Sequence, residues 1–159
     1  MRPRAREAIL RIPDPGGPDV TERSEQDRRA GLLQGGLAGH FDALNAIVTP
    51  DYVVHPEEVP GPDGRAAMVK GYREAFTGLN VTIEHQFTEG DYVATRCTIR
   101  GRHDGELMGT PPSGRDVEFT SLTISRCRDG KIEEEWELVD TVSLLQQIGA
   151  LPAAAPAAG

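Results

Sequence analysis

At Gly78 the apolar residues change from helical spacing to strict alternation, and that switch limits what the chain can become. Between Asp63-Gly64 and Gly78, residues Ala67, Met68, Gly71, Tyr72, Ala75 and Phe76 recur at intervals of three and four, which predicts an amphipathic helix packed on a core. Beyond Gly78, Val81, Ile83, His85 and Phe87 alternate with Thr82, Glu84, Gln86 and Thr88, the pattern of a half-buried strand. Gly90-Asp91 makes a turn into a second strand, residues 92 to about 103, with Val93, Thr95, Cys97 and Ile99 on one face. A Gly- and Pro-rich stretch, 105–114, separates it from a third strand over about 117–127, and a fourth runs from Lys131 to Leu138 or beyond. Helices followed by hairpin-linked strands predict an α+β domain with the helices across one face of a curved antiparallel sheet. No glycine-rich phosphate loop opens a helix after a strand, which disfavours a doubly wound parallel sheet.

The link Arg128-Asp129-Gly130 suits a three-residue hairpin with glycine at positive φ. With Cys127 opposite Lys131, Thr123 then faces Glu135, Ser121 faces Glu137 and Phe119 faces Val139. One sheet face carries Phe119, Ser121, Thr123, Glu135 and Glu137, and the other Leu122, Ile124, Ile132, Trp136 and Leu138. Asp140 is placed to cap a final helix through Leu144-Leu145-Gln146-Gln147-Ile148, ended by Gly149. Upstream, Thr21, Ser24 and Glu25 offer caps for a helix toward Leu32-Leu33-Gln34, and Phe41, Leu44, Ile47 and Val48 mark a short helix ending before Pro50.

Residues 1–21 read as a flexible basic, Pro-rich arm, 22–151 as the working domain and 152–159 as a disordered tail. Lys and Arg total 17 against 25 Asp and Glu, a net charge of −8, which argues against a nucleic-acid or anionic-membrane partner. No stretch is apolar enough for a signal peptide or a membrane span, so a cytoplasmic protein is expected. Cys97 and Cys127 have no Cys-x-x-Cys spacing and fall too far apart in register to bridge, and the four histidines lack metal-binding spacing. No metal is expected.

Several segments together carry a family likeness: Asp51-Tyr52-Val53-Val54-His55-Pro56 with Gly61-Pro62-Asp63-Gly64, Gly101-Arg102-His103-Asp104-Gly105, Gly109-Thr110-Pro111-Pro112-Ser113-Gly114-Arg115, Asp129-Gly130-Lys131-Ile132, and Asp140 with Leu144-Leu145-Gln146-Gln147-Ile148-Gly149. Over about residues 30–152 they resemble the SnoaL-like polyketide cyclases. The resemblance implies a nuclear-transport-factor-2-like fold, a cone-shaped barrel of strongly curved antiparallel sheet with helices on its concave face around a deep pocket. It also implies acid/base aldol ring closure in secondary metabolism without metal or organic cofactor, a polyketide-like aromatic or polycyclic substrate, and a homodimer or larger assembly through the convex face. The alternatives are a related hydroxylase, dehydratase or isomerase, or a non-catalytic small-molecule-binding dimerisation domain.

By the same resemblance Glu137 stands at the family's acidic acid/base position, where Asp is usual, and Ser121 and Thr123 stand where its model cyclase has Gln and His. His55 falls at a polar pocket position and is the second catalytic candidate. Tyr72, Phe76, Phe119, His103 and Glu135 complete the expected substrate contacts. From the residues alone, a carboxylate can take a proton from a carbon between two carbonyls if burial raises its pKa toward neutrality and nearby donors hold the enolate, but Glu133, Glu134, Glu135 and Glu137 also fit a solvated acidic face. His55 equally fits a loop histidine bonded to backbone, His103 a strand end facing solvent, His85 a packed sheet residue and His40 a helix cap. Tyr72 and Phe76 fit core packing as well as pocket lining, and Trp136 fits core or a dimer interface.

Overall fold

A computed structural model describes residues 45–56 and 59–153. The expected arm, the helix toward Leu32-Leu33-Gln34, His40, Phe41, Leu44 and the last six residues lie outside that range. The elements are β1 (Val48–His55), β2 (Val59–Pro60), α1 (Gly61–Ala75), β3 (Phe76–Glu89), β4 (Tyr92–His103), β5 (Asp116–Arg128), β6 (Lys131–Val139) and α2 (Thr141–Ile148). One sheet holds the strands in the order β2-β1-β6-β5-β4-β3. Pairing is antiparallel throughout except that β1 lies parallel to β6. The fold is α+β, with α1 packed on β1 and β3 and α2 on β5. No helix among the described residues is long and apolar enough to cross a membrane.

β1 corrects the sequence reading at both ends. The sequence places Val48 at the close of a helix and lets His55 fit a loop, yet the helix stops at residue 47 and Val48–His55 is a strand. Tyr52 and Val54 sit in the core while Pro50 and Asp51 are exposed. The polar and proline residues hid a β-rich run whose partner lies some eighty residues downstream, a pairing that local periodicity does not reveal.

The β5–β6 hairpin is tighter than expected. Arg128 pairs with Lys131, leaving a two-residue turn in which Asp129 (φ 48°) and Gly130 (φ 76°) both take the left-handed conformation. A register shift between Arg126 and Cys127 absorbs Glu133, so Thr123 faces Glu137, Ser121 faces Val139 and Ser125 faces Glu135. The two-residue offset keeps Glu135 and Glu137 on the expected face. Ile132 lies before the irregularity, pairs with Cys127 and is fully buried, so it leaves the apolar outer set in which the alternation had placed it.

A second shift, between Ile83 and His85, does the same to β3. Ile83 pairs with Cys97, whereas His85 pairs with Arg96 and Phe87 with Ala94, so His85 and Phe87 turn to the opposite face from Ile83. The α1 stripe is also rotated: Arg65, Val69 and Ala75 are buried, while Ala67 and Gly71 are exposed. α2 is capped as expected, with the Asp140 carboxylate accepting from the Ser143 N–H at 3.1 Å and Gly149 left-handed at φ 86°.

The helix-covered face is apolar at both ends and polar between. At one end Val48, Tyr52, Val54, Val93, Cys127 and Ile132 cluster against Ala66 and Met68 of α1. At the other, Phe76, Val117 and Phe119 pack against Leu144 and Ile148 of α2. Along β5 the sequence therefore reads Val117, Phe119, then Ser121, Thr123 and Ser125, then Cys127, with every one of these side chains buried.

Candidate functional site

The polar belt between the two clusters follows directly from strand register. Gln86, Thr95, Thr123 and Glu137 form one row across β3, β4, β5 and β6, flanked by Cys97 and Ser121 on one side and by Ser125 and Glu135 on the other. Gln86 Nε2 donates to Thr95 Oγ1 at 3.1 Å. Ser121 Oγ donates to Glu137 Oε1 at 3.2 Å, and Arg65 Nη1 reaches from α1 to Glu137 Oε2 at 2.7 Å. Thus both oxygens of Glu137 are held, one by a hydroxyl and one by a guanidinium, with 13% of its side chain still exposed.

Glu135 is held differently. It is fully buried, with Tyr52 Oη donating to Oε2 at 2.5 Å and Ser125 Oγ donating to Oε1 at 2.6 Å. Two carboxylates thus face one cation. Burial alone would lower the Arg65 pKa, but the charges of Glu137 and Glu135 and the Tyr52 phenol outweigh it and raise it, so the guanidinium stays charged. That cation lies directly against the Glu137 carboxylate. Glu137 keeps some exposure, whereas Glu135 is fully buried with both oxygens accepting from hydroxyls.

The structure brings Glu137, Ser121, Thr123 and Glu135 together as the sequence suggested. It separates His55 from them. His55 pairs in register with Trp136 on the opposite face, stacks on its ring at 5.5 Å between centroids, and contacts Glu134 Oε1 through Nε2 at 2.9 Å. Its place on a parallel strand beside β6, unforeseen from sequence, is what turns it outward. Tyr72 stacks on Phe76 and on Phe119 at 6.3 and 6.4 Å between centroids, and Phe76 lies tilted against Phe119 at 6.2 Å, in the second apolar cluster.

His103, expected at a solvent-facing strand end, is instead fully buried against Phe76. Its Nδ1 accepts the Ser113 backbone N–H at 3.2 Å, which assigns the ring proton to Nε2. The chain closes tightly there: the Gly105 N–H donates to Ala75 O, and a Cβ at Gly105 would lie 2.0 Å from Glu74 O. Sequence reasoning missed Arg65, Tyr52 and Ser125. The signal for Arg65 was available only as a charged residue four positions before Val69 on the helix, where a charge ordinarily marks the wet side.

A family model for SnoaL-like polyketide cyclases matches residues 37–148. The aklanonic acid methyl ester cyclase DnrD of Streptomyces peucetius is 31% identical over 111 residues, 69% of this chain and 74% of that one. The nogalonic acid methyl ester cyclase of Streptomyces nogalater is 29% identical over 117 residues, 70% of this chain and 87% of its own. Among solved structures, TsrD of Streptomyces laurentii superposes with a TM-score of 0.75 at 27% identity, covering 82% of this chain and 98% of that one. IdmH of Streptomyces antibioticus gives 0.70 at 36% identity, over 80% and 99%. With a fold of helices on a mixed sheet and a family match across most of its length, the chain belongs to the SnoaL-like polyketide cyclases.

Proposed function

We propose that this protein closes a ring in a polyketide-derived substrate by an intramolecular aldol reaction, with Glu137 as general base and then general acid. The observation that carries the reading is the Glu137 carboxylate itself, paired with Arg65, steadied by Ser121 and partly exposed within an otherwise buried polar belt. A carbon flanked by two carbonyls, as in a β-keto ester, gives its proton to Glu137, and the C–H electron pair becomes an enolate. The enolate carbon attacks a ketone of the same molecule, forming the C–C bond while the ketone oxygen takes the displaced π pair. Glu137 returns the proton to that alkoxide. No atom is gained or lost, so these steps need no redox partner. The cyclases of Streptomyces peucetius and Streptomyces nogalater are named for methyl esters of aklanonic and nogalonic acid, and those esters are the first substrates to test.

The test is turnover of such an ester, followed chromatographically, by wild type, Glu137→Gln and Glu137→Asp. Loss of a positioned acid/base costs about 100- to 10,000-fold, so Glu137→Gln should be slowed by that order, and Glu137→Asp, which keeps a carboxylate on a shorter arm, by less. An active Glu137→Gln protein would overturn the assignment.

The protein also pairs, in this reading, with a second copy through the uncovered sheet face. Phe87, Ile124 and Trp136 lie in one row there and Leu122 and Leu138 in the next, all exposed, beside a groove of about 780 Å³ bordered by His55 and His85. Five large apolar side chains on one sheet surface make a patch of the kind soluble monomers rarely leave open. Pairing the same patch on two copies covers it with the fewest distinct contacts.

A further inference from the structure

Arg65 is engaged on one side only. Its Nη1 is committed to Glu137 Oε2, whereas its Nε–H is buried and has no hydrogen-bond partner among the described residues. A buried charged donor without an acceptor is costly and calls for an explanation, of which an acceptor brought by a ligand is one. We propose that Arg65, through Nε–H, holds the enolate oxygen of a β-dicarbonyl substrate beside the Glu137 carboxylate that generates it. This rests on the cyclase reading above and adds to it the group that stabilises the intermediate.

The charge movement favours that role. Before proton transfer the negative charge is on Glu137, against Arg65 Nη1; afterwards Glu137 is neutral and the charge is on the substrate oxygen. One guanidinium with two donors in a rigid plane compensates both states, because charge leaves the acceptor of one N–H and arrives at the acceptor of another. The side chain is 7% exposed, so the new contact forms away from water, where fixed donors stabilise developing charge most. Glu135 limits the competition. Its oxygens accept from Tyr52 and Ser125, and its charge acts on Arg65 as well. The site is thereby selective for an acidic β-dicarbonyl: an isolated ketone gives Arg65 no enolate at neutral pH.

The probe is an acetyl-indanedione, an enolate at neutral pH, compared with dimethyl-indanedione, which has the same rings and cannot enolise. Both are titrated calorimetrically into the full chain, and ester turnover is measured on the same preparations. Wild type should prefer the enolate. Arg65→Met should weaken enolate binding about 10- to 100-fold, the loss expected for a charged hydrogen bond, with dimethyl-indanedione unaffected, and Arg65→Lys should fall between. Glu137→Gln should keep or tighten enolate binding while losing turnover, because removing the competing carboxylate frees the cation. Should Arg65→Met fail to fold, the double variant Arg65→Met/Glu137→Gln, which leaves no unpaired charge at that position, is compared with Glu137→Gln alone and should show the same loss. An Arg65→Met or double variant that folds and binds the enolate as well as its parent overturns the proposal and leaves the cyclase reading standing. So does a wild type that cyclises its ester yet shows no enolate preference. A wild type that turns over no ester and binds neither probe removes both readings together.

Discussion

The two faces of this sheet reverse the usual arrangement over their middle third. Under the helices lie Thr95, Ser121, Thr123, Ser125 and Glu135, all buried, with Glu137 beside them. On the uncovered side stand Phe87, Leu122, Ile124, Trp136 and Leu138, all exposed. Folding driven by apolar burial alone would put them the other way round. At its ends the covered face obeys that rule, since Val93, Cys127 and Ile132 close one end and Phe76, Val117 and Phe119 the other. The comparison teaches that the polar middle is held between apolar clusters on either side, and that the two departures are the features on which the proposed ligand site and the proposed pairing of copies rest.

The largest effect that would break this contrast comes from emptying its most buried polar position. Glu135→Ala removes the acceptor of the Tyr52 and Ser125 hydroxyls, leaves Arg65 with one fewer carboxylate nearby and opens a cavity beside Val54 in register. Each buried hydroxyl deprived of its carboxylate acceptor costs about 1–3 kcal/mol, so a destabilisation of about 3 kcal/mol is expected by urea unfolding. A loss under about 1 kcal/mol would mean that the hydroxyl-carboxylate contacts contribute nothing to the fold. The uncovered face should behave oppositely. Leu122→Lys with Leu138→Lys, directly opposed in register and both exposed, should leave the fold of a single copy within about 1 kcal/mol of wild type, since exposed substitutions change stability by about 0.5 kcal/mol or less each. It should also abolish self-association by light scattering. A wild type of monomer mass at high concentration would remove the second-copy assignment for this face.

The helix-to-strand switch, the strand run, the capped last helix and the facial alternation of β5 were all legible because each is a local signal of known period. Two kinds of information were not. Irregularities in pairing, at Ile83/His85 and Arg126/Cys127, carry no sequence mark, yet each moves the residues on one side of it to the other face, as Phe87, His85 and Ile132 show. Long-range complementarity was the other. Arg65 looks like a wet helix residue until Glu137, 72 positions away, is placed opposite it, and His55 looks like a neighbour of Glu137 until β1 is found beside β6. Glu137 and Ser121 were readable because family position and alternation agreed on their face. The ion pair that completes the site was a matter of tertiary placement.

The smallest expected effect distinguishes the charges on the two faces. On the uncovered side Glu134 accepts from His55 and from Arg126. The His55 hydrogen bond lowers its pKa most; partial burial works against this and Arg126 adds to it, so the carboxyl titrates below its ordinary 4.5. A carboxylate whose folded pKa is depressed contributes stability that is fully present above its unfolded value and lost as pH falls through the folded one. Glu134→Gln should therefore be less stable than wild type at pH 7, by a few tenths of a kcal/mol up to about 1 because the pair is partly exposed, and the difference should shrink as pH falls below about 4.5. Salt should erode it as well, whereas the Arg65–Glu137 pair, with its side chains 7% and 13% exposed, should be much less sensitive to ionic strength. Paired melting curves at low and high salt measure both. If Glu134→Gln keeps its full deficit at pH 3, the lost stability comes from packing against Arg126 and His55, and the charge asymmetry between the two faces is not what the uncovered network contributes.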